Sequence, residues 1–169
     1  MKIAIIGYSG SGKSTLAKKL SQKHGVPVLY LDTVHWLPGW EEAAREQELA
    51  RVQEFLAENG GWVIDGNYGK LCFEQRMREA DRIIFMRFNR FACLWRAIKR
   101  RRANRGKSRE SMTEGCPEKI DAAFAWWILF KGRSAKLKKR YQSVLDTYGD
   151  KVTVIRCQRE LNAFEREEL

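Results

Sequence analysis

Hydrophobic and polar positions follow two different periods along the chain. Short apolar runs that stop at a glycine or an aspartate predict buried parallel strands. Longer segments with apolar residues three or four positions apart predict amphipathic helices. The predicted strands span residues 2–6, 28–31, 62–64, 82–88 and 151–155, and the predicted helices span residues 13–24, 41–59, 71–80, 91–103, 118–148 with a break near Gly132, and 160–168.

This alternation predicts an α/β fold, in which a five-stranded parallel sheet is covered by helices on both faces. We expect one domain over residues 1–169, because domains commonly contain about 100–200 residues. Ligands of such sheets bind beyond the carboxyl ends of the strands, where Asp32, Asp65 and the loop after Ile6 are predicted to lie. The stretch 104–117 lacks periodicity and is predicted to be a mobile loop.

The composition narrows the class of protein further. Apolar residues make up 44% of the chain, which is enough for a packed core. No apolar run approaches the roughly 18 residues of a membrane span, and the amino terminus lacks the apolar core of a secretory signal. We therefore expect a cytoplasmic protein without a membrane partner. None of the four cysteines forms a CxxC pair, so we expect reduced thiols and no zinc site.

The net charge of +11 is concentrated in two segments. Residues 87–109 contain ten basic residues and no acid, and residues 131–140 contain six basic residues and no acid. A concentrated positive field attracts the phosphates of a nucleotide, a polynucleotide or an acidic surface. Composition alone does not choose among these three.

Residues 7–14 carry the clearest chemical motif, Gly-Tyr-Ser-Gly-Ser-Gly-Lys-Ser, which matches the P-loop pattern G-x-x-x-x-G-K-[ST] in full. The glycines let backbone N–H groups turn toward phosphate oxygens, and the following helix adds the partial positive charge of its amino terminus. Lys13 is expected to reach the β- and γ-phosphates, and Ser14 is expected to bind Mg²⁺. The predicted ATP-binding residues of this loop are Gly7, Ser9, Gly10, Ser11, Gly12, Lys13, Ser14 and Thr15.

Three further segments carry a family resemblance: LDTVHWLPGW at 31–40, WVIDGNY at 62–68 and EGCPEKID at 114–121. Together with the P-loop, they resemble the adenylate-kinase-related P-loop kinases known as DNA topology modulation proteins. The resemblance implies the nucleoside-monophosphate-kinase fold with strand order 2-3-1-4-5. It also implies an acceptor-binding region at about 32–60, a mobile lid at about 104–118, and ATP with Mg²⁺ as the phosphoryl donor.

Two aspartates are candidates for the chemistry. Asp65 stands where related kinases hold an aspartate that supports Mg²⁺, and Asp32 stands where shikimate- and gluconate-kinase-like relatives carry an acid near the metal or the acceptor. Either carboxylate could take the proton of the acceptor hydroxyl. We favour Asp32 as base or acceptor ligand and Asp65 as the metal support.

The acceptor is expected to lie between these aspartates and the residues that follow them. His35, Trp36 and Trp40 are predicted to form a loop over the acceptor. The two tryptophans either stack on a planar acceptor or simply pack down the next helix, and His35 is either a hydrogen-bonding neighbour or an acid–base group. Asn67 and Tyr68 occupy the place where adenylate kinases carry an arginine for the acceptor phosphate, which argues against a monophosphate acceptor.

Arginines are needed where charge develops on the transferred phosphoryl group. The catalytic candidates beside Lys13 and Asp32 are Arg96, Arg100, Arg105, Arg109 and Arg133. We expect two or three of these arginines to touch phosphate and the others to be solvated. After the last strand, related kinases place an arginine on the adenine ring, and the candidates there are Arg156 and Arg159.

The sequence thus predicts an ATP-dependent phosphotransferase acting on a small acceptor, such as a nucleotide or a nucleoside. The alternative is an ATP-binding protein that associates with nucleic acid through the two basic segments, or a kinase of polynucleotide ends. It is not favoured, because no helix-turn-helix or aromatic RNA-reading motif is present. The apolar stretch 122–130, with Trp126 and Trp127, is expected to pack in the core or against a second subunit, so the protein is a monomer or a homodimer.

Overall fold

The computed structural model describes residues 1–103, 110–117 and 121–169. Its strands are β1 (Lys2–Gly7), β2 (Val28–Tyr30), β3 (Trp36–Leu37), β4 (Glu41–Glu42), β5 (Trp62–Asp65), β6 (Arg82–Met86) and β7 (Val152–Ile155). Five of them form a parallel sheet in the order β2-β5-β1-β6-β7, and β3 and β4 form a separate antiparallel hairpin. The sequence did not predict this hairpin. Without it, the five sheet strands stand in the order 2-3-1-4-5 when they are numbered along the chain.

Helices cover the sheet, so the predicted α/β fold class is confirmed. They are α1 (Lys13–His24), α2 (Leu31–His35), α3 (Arg45–Glu58), α4 (Phe73–Glu79), α5 (Arg90–Ala103), α6 (Ala122–Leu129), α7 (Ala135–Tyr148) and α8 (Gln158–Glu168). The predicted break near Gly132 is a 3₁₀ turn over Lys131–Arg133, which separates α6 from α7.

The core is built on β1, which lies between β5 and β6 at the centre of the sheet. Ile3, Ile5 and Ile6 are all fully buried, because a central parallel strand is covered on both faces and therefore reads as a continuous apolar run. This arrangement sends the chain out of the centre of the sheet directly into the P-loop.

The segment between β2 and α3 differs from the prediction. His35, Trp36 and Trp40 were expected in a loop after Asp32 and residues 41–59 in a helix, but α2 starts at Leu31 and α3 only at Arg45. The physical reason is a tight turn at Pro38-Gly39: Gly39 has φ +82°, and the N–H of Trp40 donates to the carbonyl of Leu37 at 3.2 Å. The turn pairs the two sides of the hairpin and holds the residues after it in extended conformation.

The apolar helix α6 contributes Ile128 to the core, with Phe124 packed against it, so the expected core packing of 122–130 holds only in part and packing against a second subunit stays a prediction. Only Ile128 is buried, whereas Trp126 is 54% and Trp127 is 46% exposed. The helix packs on α5 along one side and leaves its other apolar side uncovered. Across 1–103, 110–117 and 121–169, no helix is long and apolar enough to cross a membrane.

A buried arginine fixes the loop that follows β5. Arg76 on α4 is fully buried, and its guanidinium donates to the carbonyls of Leu71 at 2.9 Å, Tyr68 at 2.9 Å and Gly66 at 3.2 Å. Burial lowers the pKa of Arg76 to about 10, so the side chain is still charged at neutral pH. The loop 66–71 is therefore held by one cation at three points.

Replacing Arg76 with methionine is expected to lower the free energy of unfolding by about 3 kcal/mol, because three buried carbonyls lose their donor. Urea denaturation followed by circular dichroism measures this change. Arg78→Met is the matched control, since Arg78 lies on the same helix and is exposed. Equal losses in the two variants would contradict the role assigned to Arg76.

Candidate phosphoryl-transfer site

The P-loop adopts a conformation that only glycine tolerates at three positions. Gly7, Gly10 and Gly12 have φ values of +141°, +80° and +97°, where L side chains are strained. A Cβ at Gly7 would collide with the carbonyl oxygen of Met86, and one at Gly10 with the carbonyl oxygen of Cys93. The loop thus packs against β6 and α5, and its glycines are needed for space as well as for conformation.

The loop leads directly into α1, whose amino terminus has no side-chain cap. Its first N–H groups are thereby left for a ligand, and helix amino termini favour anions. The ammonium group of Lys13 lies back across the loop and donates to the carbonyl of Tyr8 at 3.1 Å. The hydroxyl of Ser11 is fully buried and has no hydrogen-bond partner among the described residues. This geometry suits phosphate oxygens.

Ser14 and Asp65 meet beside the loop. The Ser14 hydroxyl donates to Oδ2 of Asp65 at 2.7 Å, and Asp65 at the end of β5 is only 6% exposed. Both side chains offer hard oxygen ligands, as Mg²⁺ requires. The described part of the chain holds no cluster of three or more His, Cys, Asp or Glu side chains that could bind a metal. Two protein ligands nevertheless suffice where Mg²⁺ is also held by phosphates and water, so the pair fits the ion.

Asn67 contacts the P-loop and not an open acceptor space. Its side-chain amide donates to the carbonyl of Gly7 at 2.5 Å, and its Oδ1 accepts from the N–H of Gly7 at 2.9 Å. The backbone carbonyl of Asn67 accepts in turn from the guanidinium of Arg140 at 3.3 Å. The structure therefore places this predicted acceptor residue where it fixes the first residue of the P-loop.

Asp32 and Tyr68 are brought together at the neighbouring strand end. The Tyr68 hydroxyl donates to Oδ1 of Asp32 at 2.8 Å. Burial, followed by the Asp32 carboxylate, raises the pKa of Tyr68 far above its ordinary value, so the phenol remains a proton donor to this carboxylate. Asp32 was expected at the end of the second strand but lies on the short helix α2 directly after β2, and its carboxylate is held at one oxygen.

His35 lies beside this pair and contacts a carboxylate that sequence reasoning missed. Its Nδ1 lies 2.5 Å from Oε1 of Glu48 on α3, and its Nε2 lies 3.9 Å from Oε1 of Glu42. Glu48 is buried. A sequence signal for it did exist, because Glu48, Val52 and Leu56 are spaced four apart and share the buried face of α3.

Four rings form a continuous row that leads away from Asp32. Tyr68 and His35 have ring centroids 5.0 Å apart, His35 and Trp36 4.6 Å, and Trp36 and Trp40 5.4 Å. Trp40 has φ +68°, a conformation that is unusual for a bulky residue and that costs energy. Its indole N–H is buried without a hydrogen-bond partner among the described residues. The row thus offers flat surfaces and one unused donor.

Residues 110–117 of the predicted lid dock on the hairpin that carries Trp36 and Trp40, two of the four rings of this row. The Thr113 hydroxyl donates to the carbonyl of Trp36, the Cys116 thiol donates to the carbonyl of Leu37 at 3.1 Å, and the N–H of Gly39 donates to the carbonyl of Gly115 at 3.2 Å. The two segments thus hold each other in place.

Two of the predicted catalytic arginines lie against the P-loop. The Arg96 guanidinium lies so close to Gly12 that a Cβ there would be 2.5 Å from it, and it donates to Oε1 of Gln158 at 2.6 Å. Arg133 stacks on the Tyr8 ring, with its guanidinium carbon 3.7 Å from the ring centroid. Arg133 also donates to the carbonyl of Phe88 at 2.8 Å, so it links the P-loop residue Tyr8 to the segment that follows β6.

The remaining predicted arginines are more distant or undescribed. Arg100 is half-buried on α5, one turn beyond Arg96, and Arg156 and Arg159 are exposed after β7. Arg156 lies 3.9 Å from Oε2 of Glu160, an ion pair within one helical turn. Arg105 and Arg109 lie outside the described residues.

Comparisons with known proteins agree with this geometry. The sequence profile of a family described as AAA domain matches residues 3–121. No curated protein matches at a significant level. Among solved structures, deoxyadenosine kinase from M. mycoides superposes with a TM-score of 0.54 at 14% identity, over 99% of this chain and 98% of that one.

Two further structures show the same fold. Shikimate kinase from Bacteroides thetaiotaomicron has a TM-score of 0.53 at 20% identity, over 100% of this chain and 99% of that one. An uncharacterised protein from Eubacterium ventriosum has a TM-score of 0.54 at 18% identity, over 99% of this chain and 96% of that one. At these identities the likeness establishes the P-loop kinase fold of this chain.

Asn67→Ala is expected to weaken binding of a non-hydrolysable Mg·ATP analogue by about 30-fold, because two hydrogen bonds that fix Gly7, each worth about 1 kcal/mol, are lost. Isothermal titration calorimetry measures the affinity. Asn59→Ala is the control. It removes one side-chain hydrogen bond, from the Asn59 amide to the carbonyl of Phe55 at the end of α3. An unchanged affinity in Asn67→Ala would refute the positioning role of this amide.

Proposed function

The chain belongs to the AAA domain family, and on that premise we propose that it transfers the γ-phosphoryl group of Mg·ATP to a small, uncharged, hydroxyl-bearing acceptor. The observation that carries this proposal is the meeting of three groups at adjacent strand ends: the P-loop after β1, Asp65 at the end of β5 and Asp32 after β2. Carboxyl ends of neighbouring parallel strands are where such folds bind their ligands.

On the donor side, the amides of the P-loop and the amino terminus of α1 bind the β- and γ-phosphates, and Lys13 leaves the carbonyl of Tyr8 to neutralise their charge. Ser14 and Asp65 would hold Mg²⁺, which when bound neutralises charge on the phosphate oxygens. Arg96 lies beside Gly12 and would stabilise the charge that spreads over the γ-phosphoryl group.

On the acceptor side, Asp32 takes the proton of the acceptor hydroxyl. Tyr68 holds Oδ1 of Asp32 and thereby orients the carboxylate, whose other oxygen accepts the proton. The acceptor oxygen forms the new bond to the γ-phosphorus, the bond from that phosphorus to the β-phosphate oxygen breaks, and ADP leaves.

The charges around His35 favour an uncharged acceptor. Asp32, Glu48 and Glu42 all lie within its contact network, and carboxylates repel the dianion of a monophosphate. The aromatic row from Tyr68 to Trp40 suits a planar ring system. A nucleoside combines a planar base with a free hydroxyl, and one structural neighbour is a deoxyadenosine kinase, which adds support for this class of acceptor.

A second candidate function is association with nucleic acid, as in the DNA topology modulation group. One observation favours it: α5 exposes aromatic side chains among its basic residues, and α6, which has no basic residue, exposes Trp126 and Trp127. Phe91 is 72% and Trp95 is 64% exposed, and Arg90 stacks on the Phe130 ring. Exposed rings and arginines bind single strands by base stacking and backbone attraction.

Release of ADP from Mg·ATP, measured against nucleosides, nucleoside monophosphates, other hydroxylated metabolites and short oligonucleotides, tests both functions. We expect one uncharged acceptor to stimulate ADP release by the wild type. Lys13→Ala is expected to lower the rate of ADP release by at least about 100-fold, because the cation on the phosphates is gone. Lys18→Ala, on the same helix, is the control. Stimulation by oligonucleotides alone would replace the first function with the second.

Asp32→Asn is expected to lower kcat by about 100-fold or more while the KM for ATP stays unchanged, because the amide oxygen can still accept from Tyr68 but the base is lost. Tyr68→Phe is expected to lower kcat less, because the carboxylate remains and only its orientation is relaxed. Steady-state kinetics with the acceptor found in the panel gives both values. A Tyr68→Phe loss equal to that of Asp32→Asn would contradict this division of roles.

A further inference from the structure

A groove of about 280 Å³ lies between α4 and α7. The P-loop, α2 and the β3–β4 hairpin contribute nothing to its lining. Its polar lining comes from Lys136, Lys139, Arg140 and Ser143 on α7 and from Glu74 on α4. The mechanism above uses none of these side chains, so the groove is available for a separate role.

The lining of α7 follows from helical spacing. Positions 136, 139, 140 and 143 recur every three or four residues, so their side chains share one face of the helix. Lys138, one position before Lys139, is exposed and does not line the groove. The basic segment 131–140 is therefore not a uniformly solvated stripe, because part of its charge converges on one concave surface.

The positive charge in the groove is not balanced within the described part of the chain. Over 1–103, 110–117 and 121–169, no ion pair involves Lys136, Lys139 or Arg140, and the only acid in the lining is the exposed Glu74. A second guanidinium lies behind the first: Arg140 and Arg76 stand 5.4 and 5.5 Å from the centroid of the Phe73 ring. Such a concentration of cations attracts an anion.

Arg140 is fixed in place before any ligand arrives. Its guanidinium donates to the carbonyl of Asn67 at 3.3 Å and lies over the loop 66–71. Gly69 makes this position possible, because a Cβ there would collide with the guanidinium. A planar guanidinium presents five N–H donors in a rigid fork, so donors that are not bonded to Asn67 remain for a phosphate group.

We propose that the groove between α4 and α7 binds the phosphate group of a small phosphorylated molecule. Lys136, Lys139 and Arg140 contact the phosphate oxygens, and the Ser143 hydroxyl donates a further hydrogen bond. Phe73 and Tyr148 form the apolar walls, and the volume suits a ligand of metabolite size. This inference does not depend on the proposed kinase activity.

Lysine footprinting with pyrophosphate as the probe tests the site at single-residue resolution. The protein is acetylated with and without pyrophosphate, and the rate of modification of each lysine is read by mass spectrometry. Lys136 and Lys139 are expected to react at least about threefold more slowly when pyrophosphate is bound, because ammonium groups on phosphate are shielded. Lys138 is the internal control and is expected to be unchanged. Pyrophosphate in the P-loop protects Lys13, which is read separately.

Calorimetry provides the second readout. In the Lys13→Ala background, the Lys136→Gln and Lys139→Gln double variant is expected to bind pyrophosphate at least about tenfold more weakly than Lys138→Gln. No protection of Lys136 and Lys139, or equal protection of Lys138, would overturn the proposal. Protection of all three lysines by a short oligonucleotide, with none by pyrophosphate, would also overturn it and would identify this surface as a polynucleotide-binding surface.

Discussion

The amide pairing between Asn67 and Gly7 is the constraint on which the site depends. Through it, the loop after β5 fixes the first residue of the P-loop, while the next residue, Tyr68, holds the carboxylate of Asp32. Arg76 anchors the same loop at three carbonyls. One short segment thus fixes the P-loop and Asp32 relative to each other, and under the proposed function such fixed placement would contribute to phosphoryl transfer.

The parts of this arrangement that follow from local sequence were predictable. The strands of the sheet and the P-loop have a periodicity or a spacing that their own residues determine, and the structure has them close to the predicted bounds. The target of Asn67 was not predictable, because its partner lies 60 positions away. The hairpin was missed for a similar reason: its register is set by contacts with residues 113–116 as well as by its own turn.

Charge separates the two halves of the site. The proposed donor half holds Lys13 and Arg96 around glycine-rich backbone, and the proposed acceptor half holds Asp32, Glu42 and Glu48 around a row of rings. Under the proposed function, these opposite potentials would draw the anionic nucleotide to the first half and leave the second half to an uncharged acceptor. Asp65 stands at the boundary, bonded to Ser14 on the donor side.

The packing of the P-loop also has a consequence for the order of folding. Residues 7–14 are synthesised well before Asn67, Met86, Cys93 and Arg133, the residues on which the loop packs. Its neighbours in space are distant in sequence, and such contacts form late and slowly. A nascent chain that has already exposed its P-loop motif therefore lacks the nucleotide site until most of the polypeptide has left the ribosome.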